Sequence, residues 1–263
     1  MPNGPSSNST YNRDFANYYD RLNGHKDYAG EVSKLDEFIR TNVESLRPSI
    51  LDVGCGTGQH AMLLATKGYD ITAVDVSPDM IRVAKCKTDE VQFCCAEVSQ
   101  LRRADFEFAY SLFNVINCFN SISELTAFFE GIANRLLANA TLLVESWNPI
   151  AVIAAPPTVV ERIYEYEDQR IVRKVTPFPD FFRQRLELEY NVDVYEAGAG
   201  SAKLRNFKVV HKLLLFTPQE IEYCLQQGGF RDIKVYTALP ELTRATANDR
   251  MLAFACKRAV REQ

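Results

Sequence analysis

The sequence is poor in the residues that build metal sites. Its 263 residues contain three histidines, His25, His60 and His211, far apart along the chain. Seven cysteines stand at 55, 86, 94, 95, 118, 224 and 256, without a C-x-x-C pair. No metal-ligand spacing emerges, and an odd cysteine count argues against a disulfide framework. Free thiols in a reducing compartment are the simplest account, which makes the expected location cytoplasmic. There is no basic excess: 30 Lys and Arg against 34 Asp and Glu give a formal charge of −4. A basic stripe with interleaved aromatics is also missing, so nucleic acid is not an expected partner. No apolar run is long enough to cross a bilayer, which speaks against a membrane partner. Residues 1–10 lack the apolar core of a signal peptide and read as a disordered tail, so the sequons at Asn8 and Asn139 are incidental. What is present in quantity is apolar residue, 46% of the chain, enough for a substantial core.

The most informative segment is Ile50-Leu51-Asp52-Val53-Gly54-Cys55-Gly56-Thr57-Gly58. A strand-type run enters three alternating glycines, and Gln59, His60 and an apolar helix-like stretch follow. Strand, glycine turn and helix start together make a cofactor cradle. The dinucleotide fingerprint G-x-G-x-x-G, counted from Gly54, needs glycine at 59, where the chain has Gln59. Asp52 opens the turn; its charge repels a pyrophosphate and attracts an ammonium. Asp75 ends the next strand-like run, at the distance where an acid meets a ribose diol. One acid for an ammonium, one for a ribose and bare glycine between them suit S-adenosylmethionine.

Elsewhere, Tyr11, Phe15 and Tyr18 share one face of a helix in the segment 11–22. A second helix is expected over 28–44, strands over 49–53, 70–75, 91–95, 106–113 and 141–145, and helices over 59–67, 77–86 and 121–137. Pro149, Pro156 and Pro157 then break the pattern. Strand-like segments follow over 158–166, 169–176, 182–195 and 203–216, with turns at Asp168-Gln169 and 198–200. Thr217 with Glu220 three residues on starts a further helix, and strands near 231–236 and 250–257 close the chain. Alternating strands and helices predict an α/β fold, a parallel sheet of seven strands with helices on both faces, and a β-rich insertion after the fifth strand. In domain terms, 11–148 and 217–263 form the cofactor-binding unit. The segment 149–216 forms the insertion, an acceptor lid or the interface of a homodimer.

The stretch 50–85, including Ser77-Pro78-Asp79-Met80-Ile81, resembles the class I S-adenosylmethionine-dependent methyltransferases. Three further pieces are similar to enzymes that N-methylate amino-deoxysugars attached to a nucleotide. They are Tyr19-Asp20 with Lys26-Asp27-Tyr28, then Val144-Glu145-Ser146-Trp147, then Val210-His211-Lys212-Leu213-Leu214-Leu215-Phe216. The chain departs from that pattern at Cys118, where such enzymes often carry a histidine, and at Glu97, where aspartate is usual.

The resemblance implies a Rossmann-like seven-stranded sheet, mostly parallel with the last strand antiparallel, and a cofactor site made of Asp52, Gly54, Cys55, Gly56, Gly58, Asp75 and Val76. Met80 would lie beneath the adenine, Glu97 and Val98 at its edge, and Phe113 on the pocket floor. Tyr19 and Tyr28 are cofactor cover or core, and His60 caps or contacts the cofactor. His211 is the first choice of base and Glu145 the second, with a satisfied buried histidine as the ordinary alternative. Tyr11, Trp147 and Cys118 would line the acceptor's side. An amine acceptor needs only to arrive unprotonated, whereas a hydroxyl needs a firm base or a metal. With no metal-ligand spacing in the sequence, the expected acceptor is the amine of a small nucleotide-linked aminosugar. O-methylation of a sugar or natural-product hydroxyl and a non-catalytic cofactor-binding subunit remain open alternatives. A nicotinamide-dependent dehydrogenase is disfavoured by the displaced glycine.

Overall fold

The computed structural model describes residues 11–198 and 202–260. The tail expected over 1–10, and most of the turn expected over 198–200, lie outside the described residues. The aromatic run becomes α1 (Arg13–Leu22), started by Asn12, whose Oδ1 accepts from the Phe15 N–H at 3.1 Å. Next comes α2 (Tyr28–Asn42), with Val32, Leu35 and Ile39 buried along one face. The main sheet contains β1 (Ser49–Val53), β2 (Asp70–Asp75), β3 (Gln92–Cys95), β4 (Phe106–Ser111), β5 (Leu136–Trp147), β10 (Phe230–Thr237) and β11 (Met251–Arg258). Their order is β10-β11-β5-β4-β1-β2-β3, and β11 runs antiparallel to both of its neighbours. The expected seven-stranded architecture is what forms.

Between the strands lie α3 (Gln59–Ala65), α4 (Pro78–Lys85), α5 (Ile122–Ala133) and, before β10, α7 (Pro218–Gln227). One core, with Phe129, Ile132, Ile221 and Leu225, fills the α5–α7 side. A second, with Leu35, Ile39, Leu64 and Ile81, fills the other. All five residues of β1 are buried, as a central parallel strand covered on both faces must be. The strand order reverses between β1 and β4, so a crevice opens at their carboxyl ends. Glu220 and Thr217 form the expected reciprocal cap of α7, at 3.3 and 2.7 Å.

The insertion folds as a four-stranded antiparallel meander, β6 (Val160–Glu165), β7 (Gln169–Asp180), β8 (Arg185–Glu196) and β9 (Lys203–Leu214). Its inner face packs on α1 through Ile171, Val192, Val194, Phe207 and Val209, so the aromatic stripe of α1 is largely core. Two expectations need correction. Pro149 does not break structure but opens a short helix, α6 (Pro149–Ala154), with Asn148 Oδ1 accepting from the Ile150 N–H at 3.1 Å. And β7 runs on through Pro177 and Pro179. This is tolerated because β6 pairs with β7 only as far as Val175, so beyond that point β7 is an edge and needs no donor on its open side.

Candidate active site

Asp52 lies one residue before the end of β1 and is 3% exposed. Burial pushes its carboxyl up to about 8, although the Tyr110 hydroxyl donates to it at 3.0 Å and works in the opposite direction. Such a group favours an arriving cation, which restores its charged form. From there the chain turns at Gly54 and is stitched to β2: Gly54 and Cys55 both donate to Val74 O, at 2.8 and 3.0 Å. Gly54 is left-handed at φ +78, and a side chain there would strike Val115 at 2.5 Å. Gly56 is also left-handed, at φ +55, but a Cβ there meets nothing within 4 Å. Its bare backbone therefore faces open space, which is what a cradle for a closely approaching ligand requires.

Asp75, at the end of β2, braces this turn. Its two oxygens accept from the main-chain N–H groups of Gly56 (2.9 Å) and Ser77 (2.8 Å). Burial raises its pKa while these two bonds lower it. A carboxylate has about four acceptor sites, so outward lone pairs remain for a diol. The acid-glycine-acid arrangement thus fits S-adenosylmethionine: a buried carboxyl, an open main-chain turn and a second carboxyl with acceptor capacity to spare.

Tyr19, Tyr28, Cys55, His60 and Phe113 line one cleft with Asp52, Gly54 and Gly56. Sequence reasoning missed its other walls, Lys26, Thr57, Gln59 and Leu112. Lys26 Nζ sits 3.8 Å from the centre of the Phe113 ring and pairs with Glu31 at 3.0 Å, and Glu31 meets His60 Nε2 at 2.8 Å. These groups come from three separate segments, so no spacing in the sequence marks them. His60 is thus held by Glu31, beside the Tyr28 ring at 5.1 Å. The cover formed by α1 is tied down by Asp20, which accepts from Thr57 Oγ1 at 2.6 Å and pairs with Lys87 at 2.5 Å. Ser77 Oγ donates to Tyr11 O at 2.9 Å on the other side.

Two of the expected adenine contacts, Met80 and Val98, are buried in the interior. Met80 is 1% exposed and packs with Phe15 and Ala16 under α1, because the aromatic helix covers it. Val98 belongs to the α5-side core. Glu97 is exposed beside the single helical turn Val98–Gln100, where its N–H donates to Gln100 Oε1 at 3.4 Å. Val76, 61% exposed, remains at the rim next to Asp75.

Of the two expected bases, His211 is poorly poised to take a proton. Burial drives the His211 imidazole down to about 4. Its ring is boxed by Tyr11 (5.0 Å), Phe15 (5.2 Å) and Tyr190 (4.7 Å), and Nε2 has no partner. The neutral form is therefore favoured, but its basicity is low. Since the folded pKa is depressed below the unfolded value near 6.5, His211 costs nothing above that pH, and the penalty grows as pH falls toward 4. From a pKa of about 4, wild type is expected to lose about 2 kcal/mol between pH 8 and pH 5 relative to His211→Phe, read by urea denaturation at both pH values.

Glu145 is committed to the main chain. Oε2 accepts from Phe113 N–H at 3.0 Å and Oε1 from Leu239 N–H at 2.9 Å, so it positions the loop after β4. Glu145→Gln would turn an amide donor toward one of these N–H groups and should cost ~1–3 kcal/mol of stability in chemical denaturation. Cys118 lies beside Tyr11 at the open side of the cleft, its thiol pushed up to about 11 by desolvation. Trp147 packs against the Val152–Leu186 cluster, with Arg250 over its ring at 5.6 Å. The latch between these parts is Asn117, fully buried and unremarked in the sequence. Its Oδ1 accepts from Trp147 N–H at 3.1 Å and its Nδ2 donates to Leu214 O at 2.9 Å.

Residues 50–139 match the family model described as a methyltransferase domain. The chain is 27% identical over 228 residues to the dTDP-3-amino-3,4,6-trideoxy-alpha-D-glucopyranose N,N-dimethyltransferase of Streptomyces venezuelae, covering 84% of this chain and 92% of that one. Among solved structures, the sugar N-methyltransferase KedS8 from Streptoalloteichus sp. aligns with a TM-score of 0.78 at 22% identity, covering 99% of both chains. CalS10 with bound S-adenosylmethionine, an amino pentose methyltransferase from Micromonospora echinaspora, aligns with a TM-score of 0.74 at 20% identity, covering 95% of this chain and 98% of that one. The last two likenesses are of fold, and they extend through the insertion.

Proposed function

We propose that this chain, an S-adenosylmethionine-dependent methyltransferase, methylates the amine of a nucleotide-linked aminosugar. When bound, the cofactor supplies a methyl group on a sulfonium, already an excellent leaving group. The protein's share of the chemistry is then alignment, which can be worth effective molarities of ~10⁵–10⁸ M. In this reading Asp52 attracts the ammonium end and Asp75 takes the ribose hydroxyls. Gly54 and Gly56 let the main chain approach, and Tyr19 and Tyr28 cover the methionine portion. The relative from Streptomyces venezuelae, matched over most of both chains, supports the choice of acceptor.

The observation that carries nitrogen over oxygen is the state of the candidate bases. His211 is held near 4 and Cys118 near 11, and Glu145 is buried on β5, where its carboxylate braces the N–H groups of Phe113 and Leu239. A hydroxyl acceptor needs a strong, positioned base; an amine above its own pKa needs none. The test is turnover of a nucleotide-linked amine by His211→Gln and by Cys118→Ala. Both should retain kcat within about threefold of wild type, and kcat/KM should rise with pH as the amine deprotonates. A loss of ~100-fold in either variant, the scale of general-base catalysis, would assign a base and favour the hydroxyl reading.

Two finer points belong to the same proposal. All seven cysteines are free thiols, which supports a reducing, cytoplasmic setting. The insertion exposes Phe178 at 53% and Phe182 at 94%, which supports a second copy pairing through it. Light scattering at two concentrations reads the mass.

A further inference from the structure

We propose that Asn117 is a positioning residue for methyl transfer: it fixes the acceptor-side end of the loop after β4 to the inserted sheet, so that acceptor and cofactor meet at a set distance. The inference rests on the methyl-transfer reading above. The loop connects β4 to α5. Phe113, near its start, lines the cofactor cleft, and Cys118, near its end, stands beside Tyr11 at the open side. One short loop thus reaches the places of both reactants.

The loop is not a relaxed turn. Phe113 and Asn114 both lie in the left-handed region, at φ +62 and +66, and neither is glycine. Residues with a Cβ occupy that region sparsely, so surrounding contacts must hold the backbone there. The front half is pinned to the cofactor domain. Glu145 Oε2 accepts from Phe113 N–H at 3.0 Å, Val115 fills the space that a side chain at Gly54 would need, and Ile116 is fully buried in the α5-side core.

The rear half is held by Asn117, whose N–H donates to Asn114 O at 3.0 Å and closes the turn. Its side chain is fully buried and gives its amide to two other segments. Oδ1 accepts from Trp147 N–H at 3.1 Å, at the end of β5, and Nδ2 donates to Leu214 O at 2.9 Å, at the end of β9. Ser146 Oγ lies 3.2 Å from Nδ2 as well. The end of β5 therefore clamps the loop twice, through Glu145 and Trp147, and Asn117 carries the clamp across to the insertion. There β9 also bears His211, whose ring packs on Tyr11. Core filling does not account for the residue type. An apolar side chain would fill the space but forfeit both main-chain bonds, whereas a buried amide with its donor and acceptor engaged admits one arrangement.

The test is kinetics and calorimetry on the full chain, with a nucleotide-linked aminosugar as acceptor and S-adenosylhomocysteine as the cofactor probe. Asn117→Ala should lower kcat, with both substrates saturating, by ~30–100-fold, the scale on which a misplacement of about 1 Å is felt. Its affinity for S-adenosylhomocysteine should stay within about threefold of wild type, because the front of the loop keeps its own anchors; a general loss of structure would move both. Asn117→Asp is isosteric and keeps an acceptor for Trp147 N–H, but ionised it has no donor for Leu214 O. It should lose kcat as Asn117→Ala does, which assigns the effect to the tie with β9. Should Asn117→Ala fail to fold, Asn117→Asp decides. A kcat within about threefold of wild type in either folded variant, or cofactor affinity falling in step with kcat, overturns the role. If wild type methylates only a hydroxyl-bearing sugar nucleotide, the aminosugar reading fails and the same comparison on that acceptor decides Asn117. With neither methylated, hydrogen exchange reads the tie: Asn117→Ala should exchange faster at 117–119 and 213–216 but not at 54–58, and unchanged exchange at both ends of the tie overturns it.

Discussion

Gly56→Leu is expected to fold and to lose cofactor binding by more than ~100-fold. Two effects must be separated. The backbone at φ +55 is left-handed, so any side chain there costs roughly 1–2 kcal/mol of stability. The larger effect is obstruction: the new Cβ meets no protein atom within 4 Å, so the leucine extends into the cleft and not into a wall. Gly68→Leu is the control. It too is left-handed, at φ +90, with open space around it, and it lies in the turn between α3 and β2 without lining the cleft. Both variants should show similar small drops in Tm, while calorimetry with S-adenosylhomocysteine should find binding intact in Gly68→Leu and lost in Gly56→Leu. Binding within about threefold of wild type in Gly56→Leu would mean that no ligand lies against this main chain.

Asp75→Ala should weaken the cofactor by ~100-fold, about 2.7 kcal/mol, the scale of two charge-assisted hydrogen bonds to a diol. The structure adds a reason that strand-end position alone does not supply. Asp75 already holds the N–H groups of Gly56 and Ser77, so its removal also loosens the turn before any ligand arrives. Part of the loss is therefore preorganisation, and the variant should bind with a more unfavourable entropy than wild type. Calorimetry gives both quantities. Unchanged affinity would remove the ribose role and leave Asp75 as a brace only.

These effects bear on what could be read before any coordinates. The cofactor cradle was legible because strand, glycine turn and acid are contiguous, and main-chain geometry makes such local patterns specific. The parallel α/β sheet followed from the alternation of strand and helix, but the order of its strands did not. What was not legible depends on residues brought together from afar. Asn117 shows nothing in sequence, yet it ties the loop after β4 to both β5 and β9. Lys26, Glu31 and His60 form one cluster only because α2 and α3 pack side by side. His211 is attractive as a base by type, but protonation is decided by surroundings, here an aromatic box that lowers its pKa; Glu145 instead braces two main-chain N–H groups, which its type alone does not reveal. Met80 sits at the adenine position by sequence, but α1, a distant segment, covers it. Pro177 and Pro179 would end most strands and do not end β7, because the reach of β6 is a tertiary fact.

Competition between acceptors tests the account most directly. The purified protein, given S-adenosylmethionine and equal amounts of a nucleotide-linked aminosugar and the same sugar nucleotide with hydroxyl in place of amine, is followed by mass spectrometry. The expected result is methylated amine alone, faster at pH 9 than at pH 7 and still formed by His211→Gln. Methylated hydroxyl with the amine untouched, or a rate that vanishes in His211→Gln, would contradict it.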